Sequence, residues 1–192
     1  TLSSSSAASD VYKRQILLHG LRAYAQTWQS LAESLGDEFC CYALDQRGRG
    51  LSDWADSHTY CTEHYVRDLE DLVEYLHLQR FMLVGHSLGG ANALEYARQH
   101  PGRLSALVIE DIGPGSSSVG DGAARIRREM QETPLYFPDW EHARAFWQRS
   151  RPGLSAEGLA SRLAHSMKQT EQGITWRLSL IHISEPTRRY AI

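Results

Sequence analysis

The sequence predicts an α/β fold, a parallel sheet with helices on both faces, followed by a helical cap segment. Three observations carry this. From Ile16 to Asp111, short apolar runs alternate with helix-length amphipathic stretches, the pattern of parallel strands joined by crossover helices. Glycine-rich turns close these units. After Asp111 the apolar runs stop and only helical periodicity remains.

Each element has a local cause. Ile16 to Gly20 (ILLHG) is an apolar run ended by glycine and reads as a buried strand. Residues 24–35 place Trp28, Leu31 and Leu35 at helical spacing, with Gly36 as the stop. Phe39 to Asp45 (FCCYALD) is a second buried strand, followed by the turn-rich QRGRGLSD. Thr62 is a candidate cap for a helix whose Val66, Leu69, Val73 and Leu76 share one face. Phe81 to Gly85 is a third strand, SLGGANALEYARQH a helix closed by Pro101 and Gly102, and Leu104 to Asp111 a fourth strand. GPGSSSVGDG then forms a loop. Three helices are expected over 123–132, 139–149 and 155–168, the last two capped by Asp139 and Ser155, with no strand between them. The chain thus divides into a core over 16–112 and a cap or lid over 113–177.

Composition narrows the function. The 192 residues suffice for one domain with a buried core. No apolar run approaches the roughly 18 residues of a membrane span. A formal charge of −3 without a basic stripe argues against nucleic acid as partner. Cys40, Cys41 and Cys61 lack metal-site spacing; buried reduced thiols are expected, as in a cytoplasmic protein, and no metal or cofactor.

The chemistry centres on Gly85-His86-Ser87-Leu88-Gly89, between the third strand and the next helix. A serine there fits a nucleophile elbow, a turn so tight that its neighbours tolerate no side chain beyond hydrogen, hence Gly85 and Gly89. The turn lifts the hydroxyl above the sheet. The N–H groups at the start of the following helix face the charge that develops on a substrate oxygen. The alternative is an ordinary glycine-rich turn from strand to helix.

Two more stretches, LLHGL (Leu17 to Leu21) and LDQRGRGLSD (Leu44 to Asp53), lie at the ends of the two preceding strands. With VGHSLGG they resemble, in order and spacing, the α/β-hydrolase superfamily. They are closest to its small cap-bearing serine hydrolases, such as carboxylesterases, lipase-like enzymes and C–C bond hydrolases. The resemblance covers Ile16 to Asp111 closely and the cap to Arg177 more loosely. It implies an α/β-hydrolase sheet in the spatial order second, first, third, fourth strand. Ser87 would be the nucleophile, and the backbone N–H groups of Leu21 and Leu88 the oxyanion hole. His19 and Gly20 would shape their loop, and His86 would point away from the serine. Arg47 and Arg49 would be solvated or paired rather than on substrate. Asp111, with Glu110 as the weaker choice, stands where some members carry the catalytic acid; others carry it on a later strand, and Asp111 serves equally well as a turn cap before Gly113-Pro114. The implied activity is acyl transfer on a small ester-like substrate without a cofactor. A C–C bond hydrolase or perhydrolase and a non-catalytic ligand-binding member remain open. A serine at the elbow argues against dehalogenase and epoxide hydrolase chemistry. Oligomeric state is not legible.

The family places its catalytic histidine beyond the cap. His58, His64 and His77 precede the elbow strand, His100 ends the elbow helix, and His142 and His165 belong to the cap. His182 falls in LSLIHISEPTR (Leu178 to Arg188), which resembles a translated transposase adapter end from sequencing-library preparation. SSAASDVYKRQ (Ser5 to Gln15) resembles the opposite end. Residues 1–15 and 178–192 are therefore expected to be non-native, and 16–177 a fragment of a longer, metagenomic gene. Between the two, a single lysine, Lys168, stands against fifteen arginines, as GC-rich coding would give. The expectation is an inactive fragment without its base, poorly soluble because both sheet edges expose apolar surface. Tyr136, Phe137, Trp140, Phe146 and Trp147 either pack the cap onto the core or line an acyl pocket, packing being the simpler role.

Overall fold

The computed structural model describes residues 13–113 and 128–179. Four strands, β1 (Arg14–Leu18), β2 (Cys40–Leu44), β3 (Phe81–His86) and β4 (Leu104–Glu110), form one sheet in the order β2-β1-β3-β4. Every neighbouring pair is parallel. This is the strand order that the resemblance implies.

The central strands are buried on both faces, so their side chains are apolar in consecutive positions rather than alternately. Ile16, Leu17, Phe81 and Leu83 are 0% exposed. Along β1, residues two apart share a face. Ile16 and Leu18 pack with Val66, Leu69 and Val73 of α1 (Thr62–Tyr75) and with Tyr96 of α2 (Leu88–Gln99). Leu17 turns the other way, onto Trp28 and Val84. Each such side chain contributes about 1.5–3 kcal/mol by leaving water.

Several boundaries differ from expectation. β1 starts at Arg14, so Arg14 and Gln15 take ladder positions opposite Cys40 and Cys41, and the 15/16 boundary falls inside a strand. Trp28 closes a 3₁₀ turn, Ala25–Trp28, and only Gln29–Leu35 is α-helical. Thr62 is the first helical residue of α1, not its cap; Cys61 holds that place and makes no side-chain capping bond.

The expectation of buried cysteines is corrected. β2 is an edge strand, so only part of it meets the core, and Cys40 is exposed while Cys41 and Cys61 are half-buried. All three are free thiols. On the opposite edge, Leu107 and Val108 of β4 are exposed.

In the cap, α3 (Trp140–Ser150) and α4 (Ala156–Ser166) stand where the sequence places helices, and Asp139 and Ser155 cap them by accepting from the N–H groups of His142 and Gly158. The helix expected over 123–132 lies largely outside the described residues, with 128–131 helical. The absence of strands is overturned. β5 (Tyr136–Phe137), β6 (Met167–Thr170) and β7 (Gly173–Trp176) form an antiparallel sheet in the order β5-β7-β6. Helix α4 therefore stops at Ser166 rather than 168. Gly173 at φ 114° turns the chain after Glu171-Gln172, and the β-branched Thr170, Ile174 and Thr175 favour strand on either side.

The cap core is aromatic. Phe137, Phe146, Trp147 and Trp176 meet mostly edge to face at centroid distances of 5.3–5.8 Å. Leu178 joins this cluster, and the N–H of Ser179 donates to the Gly48 carbonyl at 2.7 Å. The first two residues of the adapter-like tail are thus packed. Trp54 Nε1 donates to the Arg177 carbonyl at 3.1 Å, and the hydroxyls of Tyr24 and Ser161 bond at 3.1 Å, which ties cap to core.

Candidate active site

β3 ends at His86 and α2 begins at Leu88, leaving Ser87 alone to turn the chain. It does so at φ 51°, ψ −113°, a left-handed backbone that costs a non-glycine residue on the order of 1–3 kcal/mol. The Ser87 N–H donates to the Glu110 carbonyl at 2.9 Å, and the Ser87 carbonyl accepts from the Ala91 N–H at 3.0 Å. The two glycines are needed for close approach. A Cβ on Gly85 would meet the Gly89 carbonyl, and one on Gly89 the Leu18 carbonyl.

Leu88 is the first residue of α2, so its N–H has no intrahelical acceptor. Its side chain packs in one buried cluster with Leu21 and Tyr65, which draws the loop after β1 against the elbow. His19 fixes that loop from inside. Its Nδ1–H donates to the Gly20 carbonyl at 2.8 Å and its Nε2 accepts from the Gln46 N–H at 3.2 Å. Gln46 donates back to the His19 carbonyl at 2.6 Å and accepts from Asn92 at 2.7 Å. Burial, with the Arg49 charge adding to it, pushes His19 down to about 4. It is neutral at physiological pH with both nitrogens engaged, a residue that shapes its loop.

Arg47 is paired as expected, bidentate to Asp68 at 2.6 Å. Arg49 departs from expectation. It is buried without a carboxylate and donates instead to the Leu21 carbonyl at 2.8 Å, the Arg47 carbonyl at 2.9 Å and the Tyr65 hydroxyl at 2.7 Å. It therefore holds Leu21 in place, a task its neighbours in sequence do not reveal.

Asp111 follows β4 at φ 64°, beside the elbow because Glu110 bonds Ser87. Its carboxylate is 73% exposed and stands 3.7 Å from His86 Nε2. His86 does not simply turn away, since it lines the same cavity as Ser87. Among the described residues, no side chain bonds the Ser87 hydroxyl. Other imidazoles are engaged elsewhere: His100 with Glu70 at 2.7 Å, His64 with the Cys61 thiol at 3.1 Å, His142 with Asp139 at 2.9 Å, and His165 against the Tyr24 ring. His182 lies outside the described residues.

In front of Ser87 is a cavity of about 610 Å³ between core and cap, within the usual range for small-molecule sites. Gly20, Leu21, His86 and Ser87 line it from the core, and Phe146 and Trp147 from the cap. Phe137 packs inside the cap, whereas Tyr136 and Trp140 are exposed. Arg22, Arg151 and Arg162 also line the cavity, unnoticed in the sequence although Arg22 directly follows LLHGL. Among the described residues, no group of three or more His, Cys, Asp or Glu could hold a metal, and no helix is long and apolar enough to cross a membrane.

A parallel sheet flanked by helices, with a serine on its strand-to-helix elbow, defines the α/β hydrolase class. Residues 16–172 match the family described as the alpha/beta hydrolase fold, and the chain belongs to that family. It is similar to 2-(acetamidomethylene)succinate hydrolase of Mesorhizobium japonicum, 27% identical over 159 residues that cover 83% of this chain and 56% of the relative. N-formylmaleamate deformylase of Pseudomonas putida is 39% identical over 103 residues, 52% of this chain and 38% of the relative. A crystal structure of an alpha/beta hydrolase from Novosphingobium aromaticivorans superposes with a TM-score of 0.75 at 29% identity, covering 91% of this chain and 62% of that one. The chain spans about half the length of the curated relatives it matches.

Proposed function

We propose that the chain is the nucleophile-bearing part of a serine hydrolase that cleaves an ester or similar carbonyl by acyl transfer, with a core over 16–112 and a cap over 113–177. The observation that carries this is Ser87, held in a strained turn at the head of a helix and facing a cavity. The Ser87 Oγ would attack the carbonyl carbon, while the N–H groups of Leu21 and Leu88 receive the oxyanion. One such donor contributes about 3 kcal/mol in the transition state. Expulsion of the alcohol, which takes up the serine proton, leaves an acyl-serine. Water then splits it to the free acid and restores the hydroxyl. Asp111 is assigned the part of the acid from its place beside the elbow.

Activation of Ser87 needs a base, and none bonds its hydroxyl among the described residues. Loss of a triad member costs about 10⁴–10⁶ in rate, so the 192-residue chain is proposed to be inactive as it stands. The test is hydrolysis of p-nitrophenyl butyrate by this chain beside Ser87→Ala. No serine-dependent rate above background is expected; serine-dependent turnover at an ordinary enzyme rate would place a working base within the chain and overturn the proposal.

A further inference from the structure

The cavity in front of Ser87 carries the opposite charge to the protein around it. The chain has a formal charge of −3, yet Arg22, Arg151 and Arg162 converge on this one space. Glu129 and Glu132 also line it, but Glu129 is engaged by Arg151 at 3.4 Å and Glu132 is exposed. Among the described residues, neither Arg22 nor Arg162 forms an ion pair with a carboxylate.

Both guanidiniums are half-buried and sit over aromatic rings. Arg22 lies 5.7 Å from the Trp176 ring centroid and Arg162 4.9 Å from that of Trp147. A cation–π contact of this kind holds the group in place without using up its N–H donors, which stay available for a forked contact. Among the described residues, the one polar bond on the Arg22 fork is a long one, 3.3 Å from Nη2 to the Thr133 hydroxyl, and Tyr24 is a neighbour of Arg162. Burial first, then repulsion from Arg151, pushes Arg22 down to about 10 against a weaker attraction from Glu129, which leaves it charged at neutral pH. Unpaired cations brought together out of water oppose folding. An anion in the cavity would offset that opposition.

We infer that the cavity takes a small substrate bearing a carboxylate, gripped by Arg22 and Arg162 while its reacting carbonyl lies over Ser87. This rests on the proposed hydrolase role of Ser87 and adds the class of substrate. Arg22 directly follows Leu21, so the anion and the oxyanion would be served by adjacent residues of one loop. That places the carboxylate only a few bonds from the carbonyl under attack. Phe146 and Trp147 supply apolar wall for the carbon chain between them, which a bare inorganic anion would leave unused.

The test is calorimetric binding of succinate to the unaltered chain, beside dimethyl succinate, succinamide and inorganic phosphate. Succinate is expected to bind one to one, and the two uncharged analogues at least roughly tenfold more weakly, since each charge-assisted bond they lose carries more than a neutral one. Arg22→Gln and Arg162→Gln are each expected to weaken succinate by a similar factor, whereas Arg98→Gln, on a remote exposed arginine, leaves it unchanged. Because Arg22 packs on Trp176, its removal can unfold the cap; the comparison of succinate with its diester on the unaltered chain then decides alone. Equal binding of succinate and diester, no binding of succinate by the folded chain, or phosphate binding as tightly as succinate would each overturn the inference. Binding needs no turnover, so the two proposals fail separately. Succinate binding with no serine-dependent ester hydrolysis even when imidazole is supplied sinks only the hydrolase role, and serine-dependent hydrolysis under imidazole without carboxylate preference sinks only the substrate class.

Discussion

His19 makes the loop that carries Leu21 sensitive to acid, and the size of the effect follows from its burial. The folded chain holds the imidazole at about 4, against 6.5 in the unfolded chain, because burial disfavours the charged form and Arg49 adds to that. Between these values the unfolded state binds a proton that the folded state refuses. The contribution of His19 to stability is therefore complete above pH 6.5 and falls by about 1.4 kcal/mol per unit as pH drops toward 4, about 3 kcal/mol in all. That is a large part of the about 5–15 kcal/mol that holds a domain of this kind together. The perturbation is His19→Gln, which removes the titration. Guanidinium unfolding followed by circular dichroism, at pH values from about 7.5 to about 4.5, measures both proteins. The variant is less stable at neutral pH, since a buried hydrogen-bonding partner is lost at about 1–3 kcal/mol. The informative quantity is the difference between the two proteins, which should shrink steadily with acid. Parallel pH dependences would refute both the buried neutral imidazole and the hydrogen bonds assigned to it.

Two further outcomes follow from the same geometry. Gly89→Ala puts a Cβ against the Leu18 carbonyl, which cannot retreat without breaking the β1 ladder, so thermal unfolding should show a loss of more than about 2 kcal/mol. Asp139→Ala removes the side chain that accepts from the His142 N–H at the start of α3, and a loss of about 1 kcal/mol is expected in the same assay.

What the sequence discloses is what short-range chemistry dictates. The elbow was legible because Gly85 is forced by a contact four residues on, although Gly89 answers to Leu18 on the neighbouring strand, and the strand order because three motifs recur in the spacing of one family. The helix caps at Asp139 and Ser155 were equally local. The exposure of Cys40 was not, since FCCYALD looks like a buried strand until the sheet order leaves β2 on an edge. The cap hairpin hid for a related reason. Met167 to Thr170 continues a helical stretch in sequence, and only pairing with β7 draws it into a strand. Arg49 and Arg22 were illegible because their partners lie elsewhere in the chain, Tyr65 for the one and Thr133 for the other.

The measurement closest to the centre of this account is the rate of p-nitrophenyl acetate hydrolysis with increasing imidazole in solution, for the unaltered chain and for Ser87→Ala in parallel. A nucleophile poised on its elbow but lacking a proton acceptor should gain from the added base a rate component that the alanine variant lacks, and show none without it. A full serine-dependent rate in the absence of imidazole, or no serine-dependent component at any concentration, contradicts it.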